Sequence, residues 1–139
     1  MEIVIPRRLG KVPKDGCREV HSYSKHWPCL FPQHGPGMKH TRPIVLEPWQ
    51  TWVAVERHPQ WLLRGLIHSD GWRGSNRVMK GRYEYPRYMF SNRSADIRGI
   101  FMRACDRAGI HYKQNYERSI TVSQRESVEK LDTFIGLKY

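Results

Sequence analysis

Asp70 is the residue on which chemistry would turn. It closes an apolar stretch, Leu62-Leu63-Arg64-Gly65-Leu66-Ile67, and Gly71 follows it directly. The stretch has helical spacing, so Asp70 falls at a helix C-terminus, where the backbone dipole disfavours a carboxylate. A carboxylate held there makes sense if a cation sits beside it. The plainer reading is a helix-stop acid in an Asp-Gly turn. Gly65, in mid-helix, costs up to about 1 kcal/mol relative to Ala. That loss is tolerable where another backbone must come close, which makes Leu62, Leu63, Gly65 and Leu66 the face of a packing helix. His68, near the helix end, reads as a cap favoured by the dipole rather than as a metal ligand.

The second group is basic. Between Gly71 and Arg93 lie Arg73, Arg77, Lys80, Arg82, Arg87 and Arg93, against Glu84 as the acid. An antiparallel ribbon carrying this charge fits a DNA major groove. Some of its side chains would meet phosphates, while alternate ones would read base edges. Arg73, Arg77 and Arg82 are the first candidates, with Lys80 and Arg87 beside them. Lys113, Gln114, Asn115 and Arg118 on a later strand pair come next. An ordinary solvated strand face is the competing explanation.

A third group, Cys17, His21, His26, Cys29, His34 and His40, holds many soft ligands. Their spacings are mixed Cys/His pairs rather than a tight Cys-Cys or His-His pair, so structural zinc is not expected.

The elements that must position these residues are legible by period and punctuation. Residues 1–57 are rich in proline and loops. Cys17–Trp27 reads as one strand or a pair of short ones. Leu46–Glu56 reads as a short helix with Pro48 in its first turn and Trp49, Trp52 and Val53 on a buried face. From residue 58 regular structure takes over. A helix runs from Pro59 to a stop at Gly71. Two antiparallel strands follow, about 72–80 and 82–91, turning near Lys80-Gly81. Ile97, Ile100, Phe101, Ala104, Cys105 and Ala108 mark an amphipathic helix, capped by Ser94 and stopped by Gly109. A second strand pair occupies IHYKQNY and ERSITVSQ. A capping box, Ser123-x-x-Glu126, opens a last helix with Val128, Leu131 and Ile135 inward and Gly136 as the stop. The order is α-β-β-α-β-β-α, an α+β class.

Composition narrows the classes. The chain has 139 residues, 24 Lys+Arg against 13 Asp+Glu, and a formal net charge of +11. Its mean hydropathy is −0.70. The length suits one domain or slightly more. Aromatics make up 12%, enough for a packed core and unlike a disordered basic tail. Neither a membrane span nor a secretory signal is visible, and three scattered cysteines fit a reducing, cytoplasmic setting. The charge points to a polyanionic partner, above all nucleic acid.

Leu63-Arg64-Gly65-Leu66-Ile67-His68-Ser69-Asp70-Gly71 resembles the LAGLIDADG motif of homing endonucleases. The first, third, fourth, fifth, eighth and ninth letters agree; Arg64, His68 and Ser69 depart from it. The element order after the motif is also that family's, and YMFSNRSADIRGIF resembles its phrase leading from a strand into the next helix. The resemblance covers residues 58–139. The whole chain, including HWPCLFPQHGPG, is similar to proteins of this type in actinobacteria and their phages.

The resemblance implies a curved antiparallel sheet forming a DNA-binding saddle. It implies Mg2+-dependent hydrolysis of phosphodiesters in double-stranded DNA, with Asp70 as the metal-binding acid and Ser69 offering at most its backbone carbonyl. A basic helper near the metal is also implied, with Lys113 and Arg118 as candidates. Each active site in the family needs two motif helices, and this chain has one. It would therefore pair with itself or with a partner chain. Residues 1–57 then read as the tail of a first repeat, and 58–139 as a second. Two rival classes stay open. One is a DNA-binding or transcription-regulating protein on the same scaffold that does not cut; the other is a protein-interaction module.

Overall fold

The computed structural model describes residues 9–38, 40–78 and 82–136. Among these the chain is α+β, with two antiparallel sheets and five helices. It divides into two compact units, Met1–Pro36 and Gly37–Tyr139.

In the first unit β1 (Gly10–Lys14) pairs with β2 (Cys17–His21). Lys14 faces Cys17, so Asp15-Gly16 is the whole turn, and Gly16 takes φ 73°. Asp-Gly is a preferred two-residue hairpin turn because it tolerates positive φ. The strand expected from Cys17 thus ends at His21, and its partner lies on its N-terminal side. A one-turn helix, α1 (Trp27–Leu30), follows.

In the second unit α2 (Pro48–Gln50) opens with the Glu47 N–H donating to Gln50 Oε1 at 3.0 Å. It continues without a break as a π-helix over Thr51–Arg57. The face expected for this segment is corrected. Trp49, Trp52 and Val53 are exposed, Trp52 at 56%, while Gln50 and Val55 are buried. The cause is the wider turn. In a π-helix the bonds run i to i+5, as from the His58 N–H to the Val53 carbonyl, so residues five apart share a face. Gln50 and Val55 are five apart. Arg107 Nε, on the fourth helix, meets Glu56 Oε2 at 3.1 Å and holds this segment down.

From Pro59 the elements are α3 (Pro59–Asp70), β3 (Gly71–Val78), β4 (Tyr83–Ser91), α4 (Ala95–Ala108), β5 (Lys113–Tyr116), β6 (Ser119–Val122) and α5 (Arg125–Ile135). The order is the expected one. The expected turn at Lys80-Gly81 lies outside the described residues. The strands form one sheet in the order β3-β4-β6-β5. The helices bury one of its faces. Leu63 and Ile67 of α3, Phe101, Ala104 and Cys105 of α4, and Val128, Leu131 and Ile135 of α5 close over Tyr88, Phe90, Ile120 and Val122. Phe90 and Phe101 stack with centroids 4.3 Å apart. Burial pushes the Cys105 thiol up to about 12, so it behaves as a small apolar group.

The caps of α4 are as expected. Ser94 Oγ accepts the Ile97 N–H at 3.3 Å, and Gly109 is left-handed at φ 65°. The capping box at Ser123 does not form. Gln124 is the N-cap residue, one position later. That register puts Ser127 at the buried third helical position, where its Oγ accepts the His111 N–H at 2.9 Å.

Candidate nucleic-acid interface and metal-binding carboxylate

Helix α3 runs into β3 with no connecting loop. Asp70 is the last helical residue, and Gly71 is already extended at φ −105°, ψ 169°. A Cβ on Gly71 would lie 2.7 Å from Ile67 Cα and 2.8 Å from Ile67 O, so this exit requires glycine. The Asp-Gly pair therefore fixes where the carboxylate stands.

Asp70 is exposed, and Asn92 holds it. Asn92 Nδ2 donates to Asp70 Oδ2 at 2.9 Å. Asn92 follows β4 and is only 8% exposed. Its Oδ1 accepts the Ser94 N–H at 2.8 Å, its own N–H donates to the Arg118 carbonyl at 3.1 Å, and its carbonyl accepts from Arg98 Nη1 at 2.6 Å. An amide fixed at so many points orients the carboxylate and offsets part of the unfavourable helix-end dipole. Sequence reasoning did not single out Asn92; its only signal is its place in the strand-to-helix phrase FSNRSAD.

The other residues of the motif are used locally. Ser69 Oγ donates to the Leu66 carbonyl at 3.0 Å. His68 Nε2 donates to the Ile135 carbonyl at 2.9 Å. His68 therefore caps α5, not its own helix, by satisfying one of the open carbonyls at that end. Leu63 lies wholly in the chain's own core, with Leu62 and Leu66 packed at its margin. Gly65 is exposed, and a Cβ there meets nothing within 4 Å among the described residues. Trp61, one turn earlier, is 80% exposed.

Successive strand residues point to opposite faces, and the pairing register shows which face each basic residue takes. Gly71, Phe90 and Ile120 are opposite one another, as are Arg73, Tyr88 and Val122. Arg73 and Arg77 therefore share the helix-covered side of the sheet. Arg73 is engaged there: Nε and Nη2 meet Asp132 Oδ1 and Oδ2 at 2.7 and 2.8 Å. Its guanidinium lies 5.7 Å from the Tyr88 ring, whose hydroxyl donates to Asp132 Oδ1 at 2.6 Å. The Arg73 guanidinium holds the Asp132 carboxyl below the usual carboxylate range. Burial and the bond to Asp132 push the Tyr88 hydroxyl up. Arg77 Nε lies 3.9 Å from Glu84 Oε1, which also accepts from Ser75 Oγ. Gln114, opposite Ile120, belongs to this side too.

The open face carries a different set. Trp72, Asn76, Tyr83, Tyr85, Arg87 and Met89 lie on it from β3 and β4; Lys113 and Thr121 join them from β5 and β6. Asn115 belongs with them, since its Nδ2 donates to Thr121 Oγ1 at 2.8 Å. Arg82 lies over the Tyr83 ring at 5.8 Å. No acid lies on this face among the described residues. Arg118 is in the β5–β6 turn, bonded through its carbonyl to Asn92, and so is near Asp70. Lys113 is three strands from β3, about 14 Å at the usual strand spacing. Lys80 lies outside the described residues.

One exposed carboxylate with a bonded oxygen can give a divalent cation a single ligand. Among the described residues no group of three or more His, Cys, Asp or Glu could hold a metal ion. Mg2+ usually takes one or two carboxylates and completes its shell with water and phosphate oxygens. The residues present fit half of such a site. No described helix is long and apolar enough to cross a membrane. No protein-family model, curated protein or solved structure matches the chain.

Proposed function

We propose that the chain binds double-stranded DNA through the open sheet face and cleaves it with a divalent ion at Asp70, as LAGLIDADG endonucleases do. The observation that carries this reading is the α3–β3 junction. An exposed carboxylate, oriented by Asn92, stands directly before the first strand of a sheet whose open face carries Arg87 and Lys113 and no acid among the described residues. The element order and the antiparallel sheet support the same scaffold. Arg87 and Lys113 suit phosphate contacts, and Asn76 suits a base edge. Arg73, committed to Asp132, supports the sheet and drops from the list of readers. A bound Mg2+ ion would activate water and offset charge at the phosphate. The chain's own part is to hold one carboxylate for it and to fix the register of the duplex. A second copy, packed through Trp61, Gly65 and the exposed edge of α3, supplies the second carboxylate and a near-palindromic target.

The test is selection of duplexes from a random library, followed by cleavage of the selected duplex with and without Mg2+. Cleavage should need Mg2+. Asp70→Asn should lower it about a hundredfold or more, since metal assistance is worth several kcal/mol, while binding persists. A selected duplex that stays intact with Mg2+ would sink the cleavage reading. One observation favours the second reading, a DNA-binding or regulatory protein that does not cut. The motif's sixth position, commonly acidic in the family, is His68 here, and its ring is spent on Ile135.

A further inference from the structure

The geometry points to Trp72 as a residue that sets sequence preference: with Met89 beside it, it reads the C5-methyl group of a thymine in the major groove. This rests on a duplex lying on the open sheet face and adds which base pair that face prefers. Trp72 is directly opposite Met89 in the β3–β4 register, and Met89 is directly opposite Thr121. The three form a row across the open face, next to the Asp70 end of the sheet. Thr121 is buried, Met89 is half-buried and Trp72 is 50% exposed. Any Cβ on Gly74 would overlap Cζ2 and Cη2 of the indole. The six-membered ring of Trp72 thus fills the space over Gly74, and the glycine is what lets it lie along the strand.

An apolar ring and a thioether left on an open face gain nothing from water. In the major groove a guanine–cytosine pair shows two acceptors and an amino donor, whereas thymine carries a methyl group. Trp72 and Met89 pressed against the first edge would strip its water and offer no partner in return, which weakens binding. Against the methyl, apolar surface is covered on both sides. Lys113 and Arg87 lie on the same face with no acid among the described residues, so a polyanion is the occupant the charge favours. The outer part of the face differs in kind. There Asn76 is directly opposite Tyr85, an amide beside a phenol, which suits polar base edges. Strand β3 thus places its apolar reader first and its polar one four residues on. Trp72 comes two residues after Asp70, about 7 Å at the usual strand rise, so its thymine is the one nearest the carboxylate.

A thymine-to-uracil scan of the duplex selected from a random library tests this. Binding is read by fluorescence anisotropy without Mg2+, so cleavage plays no part. Uracil differs from thymine by the methyl alone. At one thymine in each half-site, uracil should weaken binding about threefold to fivefold, the worth of one buried methyl. Trp72→Ala should bind the thymine and uracil duplexes equally. Trp72→Phe keeps an apolar ring and should keep a preference of at least about twofold. Each result is a ratio within one protein, so a smaller folded fraction in a variant does not imitate it. A selected duplex indifferent to uracil at every thymine overturns this proposal and leaves the double-strand reading standing. So does a uracil effect that persists undiminished in Trp72→Ala, which would place the methyl contact elsewhere. If no duplex is selected at all, the double-strand reading falls and this one with it.

Discussion

Asp132 serves two partners at once, and its removal separates them. Arg73 is about half exposed, so its ion pair contributes little by itself, at most about 1 kcal/mol. The Tyr88 hydroxyl is different, because the tyrosine is buried and Asp132 is its acceptor. Asp132→Ala should therefore destabilise the fold by about 1–3 kcal/mol in urea denaturation, while Asp132→Asn, which still accepts from Tyr88, should cost less. The pH dependence follows in sign. Asp132 titrates lower when folded than its ordinary 3.8. Its contribution is complete above that value and disappears as pH falls through the depressed one. Acid denaturation curves of the wild type should be steeper below pH 3.8 than those of Asp132→Asn. This cluster was not legible in the sequence. Arg73 counted there as one of a run of cations, and Asp132 lies 59 residues away.

At the scale of elements, α3 carries the sharper test. Gly65 has open space where a side chain would go. In the isolated chain Gly65→Ala should stabilise the helix by up to about 1 kcal/mol, seen as a higher midpoint in thermal unfolding. If a second α3 packs there, the same change should weaken self-association in sedimentation velocity at equal protein concentration. A rise in stability with unchanged self-association would remove α3 from the pairing surface. The helices were legible because α3, α4 and α5 repeat their apolar residues at α-helical spacing. The π-helical segment defeated the same rule, since its period is not the one the rule assumes. The faces of β4 were hidden for another reason. Tyr83 and Tyr85 are odd-numbered, Tyr88 and Phe90 even-numbered, so aromatics mark both faces and the phase of the strand cannot be read from them. Charge alone marks Arg73 and Arg77 as candidate DNA readers; the pairing register puts both on the helix-covered side of the sheet. The hairpin of β1 with β2 was in reach, since Asp15-Gly16 announces it.

The second unit sorts its charge by side. The ion pairs Arg73–Asp132, Arg77–Glu84, Arg107–Glu56 and Arg125–Glu129 all lie away from the open face of the four-stranded sheet. These four acids are thus paired where they do not oppose a polyanion, and Arg87 and Lys113 face no acid on the open side among the described residues. Affinity for nucleic acid should fall linearly on a log–log plot against salt. Lys113→Ala should lessen that slope by about one and weaken all sequences alike. An unchanged slope would put the phosphate contacts elsewhere. Net charge was plain from composition, and the place of Asp70 at a helix end from spacing. The sorting was not, because it depends on the pleat and on pairings across the fold.

The missing connector between α3 and β3 makes the carboxylate and the strand one stiff part. Gly71 bonds back to Ile67 while it begins pairing with Phe90, so nothing between them can give. A duplex seated one step out of place would carry its phosphates about 3.4 Å past the carboxylate, and no hinge could bring them back. Recognition and cutting would then be a single measurement, with the sheet as ruler and Asp70 as its zero mark.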